Sequence, residues 1–440
     1  MTLKVDVQTV DALRRRLEVE VPADEVSAEI ERTYAQLARS VKVPGFRPGR
    51  APRAVLERLF GDRVRAEVFE RLIQQSYSEA VEERQIAVVG RPEIVTEQAE
   101  PGAALRYNAT VEVKPKIVAD RYDGLAVERP LVTVSDTDVD AFLERLRQSF
   151  AQLQPITERT HVEAGDVVTL DYQAHVDGRL VGKAENREVE IGANGFPPEF
   201  DPHLLGAAVC ADVDFAVAYP ADRGGPEVAG KSVQFHVHLR ALSRKDVPAL
   251  DDEFAKDHGE CSTLEELRQR ARQRLEAEAA QHADETMRQN LLDALAKAHD
   301  IPVPSAMVHR RTDALVEEVW REWQQQRIRP RNEAEARERL HADLEPRAHQ
   351  QVKIALLLEA IARQEGITVG DEEVEARIAA MAVDAGSAAE RVQAFYRDPE
   401  ARRDLLARML QARAIDAVAK RARITTVQRA PSVAEAQENG

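Results

Sequence analysis

The spacing of apolar residues changes along this chain, and the change limits the folds that the chain can adopt. In residues 160–245, short stretches of alternating apolar residues are separated by loops rich in glycine and proline, which predicts a small β-rich domain. After Asp246 the apolar residues recur every three or four positions, which predicts an almost wholly helical segment. With 440 residues, the chain is expected to form two or three domains.

The N-terminal part combines strand and helix patterns and predicts a compact α+β module that ends near Lys114. Residues 3–21 alternate as strands do, and Pro22 then opens a helix with apolar residues three and four positions apart. Pro52 begins a short helix that is expected to end at Gly61, followed by a longer helix. Further strands are predicted at residues 87–89, 93–97 and 105–113.

A connector and six helices complete the predicted secondary structure. In the connector, residues 115–150, Leu125–Val134 is extended and Ser135, with Asp138 three positions later, caps a helix. The polar tail from Thr425 is expected to fray. The six helices are predicted at residues 262–299, 305–328, 332–365, 371–385, 388–397 and 399–422.

A turn in the N-terminal module is strongly basic although the chain is acidic. Eight Lys or Arg and two acids lie between Arg39 and Arg65, a local net charge of +6, whereas the whole chain has a net charge of −16. The turn is Gly45-Phe46-Arg47-Pro48-Gly49-Arg50, which raises one aromatic and two guanidinium groups from the surface. Such a tip suits a polyanion beside an apolar crevice, although arginines on a turn between helices can also serve solubility alone.

Several functions are disfavoured by the sequence. No stretch approaches 18 apolar residues and the first ten residues lack a signal-peptide core, so we expect a cytoplasmic protein with no membrane partner. No phosphate-binding loop, dinucleotide fingerprint or nucleophile elbow is found, so we expect no cofactor. We also expect no metal, because the histidines of the β-rich segment lack further ligands at metal spacing. These histidines are His161, His175, His203, His236 and His238.

Four segments resemble trigger factor, the bacterial family of nascent-chain chaperones. Val43–Arg50 resembles its ribosome-docking signature, although Pro48 stands where a lysine is common. Gly165–Ser243 resembles its FKBP-type prolyl isomerase domain, whereas Ile301–Ser305 and Phe395-Tyr396 resemble segments of its two helical arms. The isomerase match rests on Gly165–Tyr172, Val176-Asp177-Gly178, Pro198–Asp201, and Gly230-Lys231 followed by Phe235.

The resemblance implies an α+β multidomain fold with four parts. The turn Gly45–Arg50 would dock on the large ribosomal subunit near the exit tunnel, where ribosomal protein and rRNA meet. The implied parts are an α+β ribosome-binding domain at residues 1–114, a connector at 115–150 that packs with the helical body, an FKBP-like β half-barrel with prolyl isomerase activity at 151–245, and an extended all-α chaperone body with two arms at 246–440.

The implied isomerase site is an apolar pocket rather than a set of reactive groups. A pocket that favours the twisted X–Pro imide over the planar form lowers a rotational barrier of about 18–20 kcal/mol. The family often has aromatics where this chain has Val181, Arg187 and Arg223, so either the activity is weak or most of it has been lost. Phe200 and Phe235 are equally suited to the core of a half-barrel. By position, the pocket comprises Tyr172, Val181, Phe196, Pro197, Phe200 and Phe235.

The helical body is the implied surface for nascent and unfolded polypeptides. Apolar stripes at helical spacing are more often core than binding surface. In the trigger factor family, however, the arms enclose a cradle that holds clients weakly, assists their folding and export, and needs no ATP. The resemblance also allows a homodimer off the ribosome. The candidate client-binding residues are Val316, Trp320, Trp323, Leu357 and Met409.

Two alternatives remain from the sequence. A stand-alone FKBP-type prolyl isomerase with helical appendages would confine all activity to residues 160–245, but the altered pocket argues against it. A helical scaffold or RNA-binding adaptor would bind naked RNA with a steep salt dependence. The net charge of −16 argues against the adaptor, because phosphate would be repelled diffusely by the rest of the chain.

Overall fold

The computed structural model describes residues 3–41, 43–44, 46, 51–100, 102–193, 196–197, 199–219, 228–257, 261–326, 328–330 and 332–428. These residues form two units, each assembled from separate parts of the chain. One unit holds the described residues of Met1–Pro130 and Asp284–Val427, and the other holds those of Leu131–Ala283 and Gln428–Gly440. The N-terminal module therefore shares a unit with the later helices.

The N-terminal module is an antiparallel sheet covered by two helices. Its elements are β1 (Lys4–Thr9), β2 (Arg14–Val21), α1 (Ala23–Ser40), α2 (Arg53–Glu83), β3 (Val88–Gln98) and β4 (Leu105–Val113). The strand order is β1-β2-β4-β3. Leu17, Val19 and Val21 alternate along β2 on the buried face, as the sequence pattern predicted, and pack against Val26 and Leu72 of the helices. The burial of this face fixes the module's core.

The prediction that a helix ends at Gly61 was wrong, because α2 is one continuous helix through that residue. Gly61 is buried, and a Cβ atom there would lie 3.7 Å from the hydroxyl of Tyr34 on α1. Arg71 of α2 also donates to Glu29 of α1 at 2.9 Å. A helix-interior glycine costs about 1 kcal/mol relative to alanine. Here the close packing of α1 on α2 offsets that cost and keeps the helix intact.

The β-rich domain is an antiparallel half-barrel, as predicted. Its elements are β6 (Gln152–Pro155), β7 (Asp166–Val176), β8 (Arg179–Glu190), the short helix α4 (Asp201–Leu204), β9 (Asp212–Ala218) and β10 (Ser232–Asp246), and β5 (Ala126–Leu131) precedes them. β10 is central and pairs with β6, β7 and β9, while β8 pairs with β7. The β7–β8 turn has positive φ at Asp177 and Gly178, as a two-residue hairpin turn requires.

A small helical core belongs to the same unit as the half-barrel. α3 (Asp136–Ser149) begins with the predicted capping box, in which the Ser135 N–H donates to the Asp138 carboxylate at 2.8 Å. α5 (Asp252–Asp257) and the first half of α6 (Leu264–Ala298) follow β10. Val139 and Leu143 of α3 pack with Phe254 of α5. The half-barrel therefore begins and ends on packed helices.

The remaining helices agree with the predicted ones to within about three residues. They are α7 (Ser305–Gln325), α8 (Glu333–Gln364), α9 (Asp371–Asp384), α10 (Ala389–Phe395) and α11 (Pro399–Arg421). Leu291, Leu357 and Val418 join α6, α8 and α11 in one core. The prediction of fraying from Thr425 was wrong as far as Gln428, since Arg423–Gln428 forms β11 and pairs with β5.

The N-terminal module is joined to the start of α7 by a carboxylate. Glu112 of β4 accepts hydrogen bonds from the Ser305 hydroxyl at 2.6 Å and from the Ala306 N–H at 2.8 Å. α7 has no cap of its own because its N-cap residue is Pro304. A carboxylate at a helix N-terminus satisfies free N–H groups and complements the helix dipole. Lys114 forms an ion pair with Glu359 of α8 nearby.

Candidate functional site

The turn between α1 and α2 is the first candidate site. The Phe46 N–H donates to the Val43 carbonyl oxygen at 3.1 Å, and Val43 is buried in the core of the module. Phe46 itself is 39% exposed. The base of the turn is therefore anchored while the aromatic residue remains accessible. The other predicted docking residues lie outside the described residues: Gly45, Arg47, Pro48, Gly49 and Arg50.

Arg53, just after the turn, is held within the module. Its guanidinium carbon lies 3.2 Å from the centroid of the Tyr34 ring, and its nitrogens pair with Glu57 at 3.1 Å and with Glu31 at 3.3 Å. Tyr34 belongs to the core between α1 and α2. Arg53 therefore fixes the start of α2 against α1, which positions the turn between them, and its charge is neutralised locally.

Other arginines near the turn remain available to a partner. Arg39, Arg58 and Arg63 are exposed, and none of them has an ion-pair partner within the described part of the chain. Leu59 of α2 is also exposed. The sequence pattern did not indicate Leu59, because this residue lies outside the apolar stripe that packs α2 on the sheet. The surface thus offers apolar groups beside free positive charge.

The half-barrel brings the predicted isomerase residues together. Phe196 stacks on Phe200 with ring centroids 4.0 Å apart and an angle of 12° between the planes. Tyr172 meets Phe196 edge to face at 5.6 Å, and Phe200 meets Phe235 at 5.1 Å. The six residues come from three strands and one loop: Tyr172 on β7, Val181 on β8, Phe235 on β10, and Phe196, Pro197 and Phe200 before α4.

Only part of this cluster is accessible to a substrate. Phe200 is 0% exposed, and Phe235 is buried with it in the core of the half-barrel. Tyr172, Val181 and Phe196 are half-buried against that core. An approaching prolyl peptide would therefore meet these three side chains, while Phe200 and Phe235 support them from below.

Two further aromatic residues of this cluster, Phe215 on β9 and Tyr219 just after it, were not among the predicted site residues. Phe215 lies 5.1 Å from the Phe200 ring, and Val213, Phe215 and Val217 alternate along the strand, a pattern that could have revealed them. Burial raises the pKa of Tyr219, with a smaller contribution from Tyr172. Of the positions where the family often has aromatics, Arg187 is exposed, and Arg223 lies outside the described residues.

The predicted client-binding residues differ in accessibility. Leu357 is 0% exposed in the core that joins α6, α8 and α11, and Val316 is buried on α7. Both are packing residues and offer no surface to a client. Trp320 is also buried, whereas Trp323 and Met409 are half-buried. Periodicity found the apolar stripes but did not distinguish their buried members from their accessible ones.

A cavity of about 590 Å³ lies at the end of the α7–α8 hairpin. Trp320, Trp323, Ile328 and Pro330 line it, and the Arg337 guanidinium carbon lies 4.4 Å from the centroid of the Trp320 ring. The two tryptophan rings are 5.8 Å apart. Trp323 is therefore the tryptophan that a bound segment would contact.

A larger groove of about 940 Å³ is lined by α6, α7, α8 and α11. Its apolar lining includes Leu292, Ile354, Leu358 and Ile415. Four arginines and one acid, Asp404, also line it. Arg310, Arg347 and Arg408 are exposed without an ion-pair partner in the described chain, whereas Arg311 pairs with Glu318. The groove therefore combines apolar surface with unpaired positive charge.

The strand histidines form pairs with aspartates. His238 Nδ1 lies 2.7 Å from Asp212 of β9, and His236 pairs with Asp214 on the same strand. All four side chains are largely exposed. Such cross-strand pairs are common surface contacts, and these four residues are not members of the apolar core of the half-barrel.

The chain is similar to known proteins along almost its whole length. A family model described as bacterial trigger factor protein (TF) matches residues 3–146, and one described as its C-terminus matches residues 263–420. The chain is 32% identical to the trigger factor of Syntrophotalea carbinolica over 99% of both chains, and 38% identical to that of Moorella thermoacetica over 86% of both. A solved structure of the trigger factor chaperone covers 95% of this chain and 99% of its own, with a TM-score of 0.51 and 21% identity, and shows the same fold.

Similarity over the full length, rather than to the half-barrel alone, places the chain among the ribosome-associated molecular chaperones. It belongs to the trigger factor family. A stand-alone isomerase and an RNA-binding scaffold are not favoured. None of the described helices combines the length and apolar character that a membrane crossing requires.

Proposed function

We propose that the turn around Phe46 docks this chaperone on the large ribosomal subunit near the exit tunnel. The observation that carries the proposal is the accessible Phe46 on a turn anchored by the buried Val43. Complete burial of such a ring in an apolar crevice contributes roughly 1.5–3 kcal/mol. The exposed Arg39 and Arg58 would contact phosphates at either side.

The charge of the chain supports a local rather than an extended contact with rRNA. A net charge of −16 repels phosphate over most of the surface, whereas the segment around the turn is positive. Each phosphate contact steepens the loss of affinity with salt. We therefore expect a shallow salt dependence, with the aromatic contact supplying much of the affinity.

Co-sedimentation with 70S ribosomes at fixed salt tests this proposal. The wild type should pellet, and the triple variant Phe46→Ala, Arg47→Ala, Pro48→Ala should remain in the supernatant. Phe395→Ala is a matched control, because Phe395 is 61% exposed but lies on α10 of the helical body. If the wild type and the triple variant pelleted equally, the ribosome-docking site would lie elsewhere in the chain. If naked RNA competed with ribosomes for the wild type, the RNA-binding adaptor would be favoured instead.

We further propose that unfolded segments bind in the groove and in the tryptophan cavity. Apolar burial is non-directional, so the lining can hold many sequences. The unpaired Arg310, Arg347 and Arg408 would select apolar segments that are flanked by acidic residues. Nascent chains emerging from the ribosome are the proposed clients, and the cytoplasm is the proposed location. A homodimer off the ribosome stays a prediction.

We propose weak prolyl isomerase activity for the half-barrel. Tyr172, Val181 and Phe196 supply an apolar surface that favours the twisted imide. The charged Arg187 stands where an aromatic would extend that surface, so catalysis should be slow. A proline-limited refolding assay would detect this activity, and a refolding rate equal to the uncatalysed one would show that the half-barrel has no isomerase activity.

A further inference from the structure

We infer that the α7–α8 hairpin carries a site for a divalent transition-metal ion, formed by His309, Asp313 and His341. His309 and Asp313 are four residues apart on α7, so they lie on the same helix face. His341 lies on α8, which packs antiparallel to α7 through the short connection between them. Two helices thus direct three metal-binding side chains to one point.

The distances between the donor atoms fit a small coordination sphere. His309 Nε2 lies 3.7 Å from Asp313 Oδ2, and His341 Nε2 lies 3.5 Å from Asp313 Oδ1. The three donor atoms all lie within 4.8 Å of one another, and the imidazole rings are 4.9 Å apart. Tetrahedral zinc with bonds of about 2.0–2.2 Å requires donors roughly 3.4 Å apart. The side chains therefore need only small movements to bind one ion.

One of the three donor atoms makes no hydrogen bond, although it lies near the Asp313 carboxylate. His341 Nε2 is buried and has no hydrogen-bond partner. A buried polar atom without a hydrogen-bond partner is destabilising. Asp313 forms no other ion pair within the described chain. An ion between the three groups would satisfy the imidazole nitrogen and neutralise the carboxylate together.

The donor set indicates the class of metal. Two imidazoles and one carboxylate suit Zn²⁺, Co²⁺, Ni²⁺ and Cu²⁺, whereas Mg²⁺ and Ca²⁺ prefer sites made of oxygen atoms alone. Three protein ligands leave the fourth position for water. The sequence-based expectation of no metal considered only histidines of the β-rich segment and overlooked this pair of helices.

The position of the site links metal binding to the tryptophan cavity. Trp320 is seven residues beyond Asp313 on α7, about 10 Å along the helix. Both tryptophans of the chain, Trp320 and Trp323, are on this helix. Bound metal would tie α7 to α8 two turns from that cavity, and tryptophan fluorescence would report binding.

Titration of the full-length, tag-free protein with ZnCl₂ after EDTA treatment tests the site. The wild type should bind one Zn²⁺ equivalent that His341→Ala does not bind. Asp313→Asn should weaken that equivalent at least tenfold, and because Asp313 is exposed this variant should fold normally. His349→Ala is the matched control, since His349 is exposed on α8 about 12 Å along the helix from His341.

Fluorescence supplies a second measurement. Paramagnetic Ni²⁺ or Cu²⁺ bound at this site should quench tryptophan emission in the wild type and in His349→Ala, but much less in His341→Ala and Asp313→Asn. Equal zinc uptake and equal quenching in the wild type and the three variants would overturn the inference. Any metal bound in that case would be held by other residues.

Discussion

Tyr107 shows how one buried residue can make the N-terminal module sensitive to pH. It is 1% exposed on β4, and its hydroxyl shares a hydrogen bond of 2.8 Å with the Ser76 hydroxyl of α2. Ser76 also donates to the Leu72 carbonyl oxygen at 2.6 Å. Burial raises the pKa of Tyr107 to about 12. The phenol is therefore kept neutral in the folded module well beyond the pH at which an unfolded tyrosine ionises.

We expect wild type to lose stability between pH 10 and pH 12 in a way that Tyr107→Phe does not. Below about pH 10 the phenol is protonated in both states, and its contribution is fully present. Above that, the unfolded chain releases the proton and the folded module does not, so the free energy of unfolding falls by up to about 1.4 kcal/mol per pH unit. At pH 7 the variant should lose about 1 kcal/mol with the hydrogen bond. Urea unfolding between pH 7 and pH 12 measures both the pH-dependent loss and the loss at pH 7. If the stability of the wild type and of Tyr107→Phe fell in parallel above pH 10, Tyr107 would not be the source of the pH dependence.

Phe196 and Phe200 should separate catalysis from stability in the half-barrel. Phe200→Ala removes a fully buried ring and should destabilise the protein by about 3–5 kcal/mol. Phe196→Ala removes a half-buried ring, so it should cost less stability while slowing proline-limited refolding catalysis severalfold. Thermal unfolding and the refolding assay make the comparison. Undiminished catalysis by Phe196→Ala would exclude its ring from the substrate surface.

Sequence predicted the identity of these residues better than their accessibility. Alignment by position found Phe196, Phe200 and Phe235, and the structure brings them together. It could not decide whether Phe200 is pocket or core, because its burial depends on the tertiary packing of the Phe196, Phe215 and Phe235 rings around it. For the same reason an apolar residue such as Leu357 resembled a client contact although it is inaccessible.

Among the elements, the helices that line the groove are the proposed determinants of client selection. An apolar peptide flanked by glutamates should bind three- to tenfold more tightly than the same peptide flanked by lysines, about 0.7–1.4 kcal/mol. The double variant Arg310→Gln, Arg408→Gln should lose most of that preference. Arg58→Gln, Arg63→Gln is the matched control in the N-terminal module. Fluorescence anisotropy with labelled peptides measures the two affinities. If the groove variant kept the preference for glutamate-flanked peptides, another surface would select clients.

Local signals predicted the elements well where the determinants are local. The capping box at Ser135 forms as predicted, and it is a short-range feature, as is the positive-φ turn at Asp177-Gly178. The continuation of α2 through Gly61 and the strand β11 were not predicted, because their determinants are distant in sequence. Tyr34 of α1 packs on Gly61, and the Arg423 N–H of β11 donates to the Leu125 carbonyl oxygen at 2.8 Å. Contacts across almost 300 residues leave no periodic trace in sequence.

At the scale of the whole molecule, the proposed docking turn and the proposed client sites lie in the same unit. The α1–α2 turn, the groove and the tryptophan cavity all belong to the unit formed by the N-terminal module and the later helices. Glu112 caps α7 within that unit and ties the N-terminal module to the first helix that lines both proposed client sites. The half-barrel belongs to the other unit, so we expect its proposed isomerase activity to be separable from the proposed shielding of clients.

The most direct test of the account is protease protection of a nascent chain on stalled ribosomes. Wild type should protect the emerging segment, and the Phe46→Ala, Arg47→Ala, Pro48→Ala variant should not protect it at the same concentration, since it cannot dock. Trp323→Ala should still pellet with the ribosomes but protect less, because docking is intact and client contact is reduced. If the docking variant protects as well as wild type, the claim that this chain acts as a chaperone docked through its basic turn is contradicted.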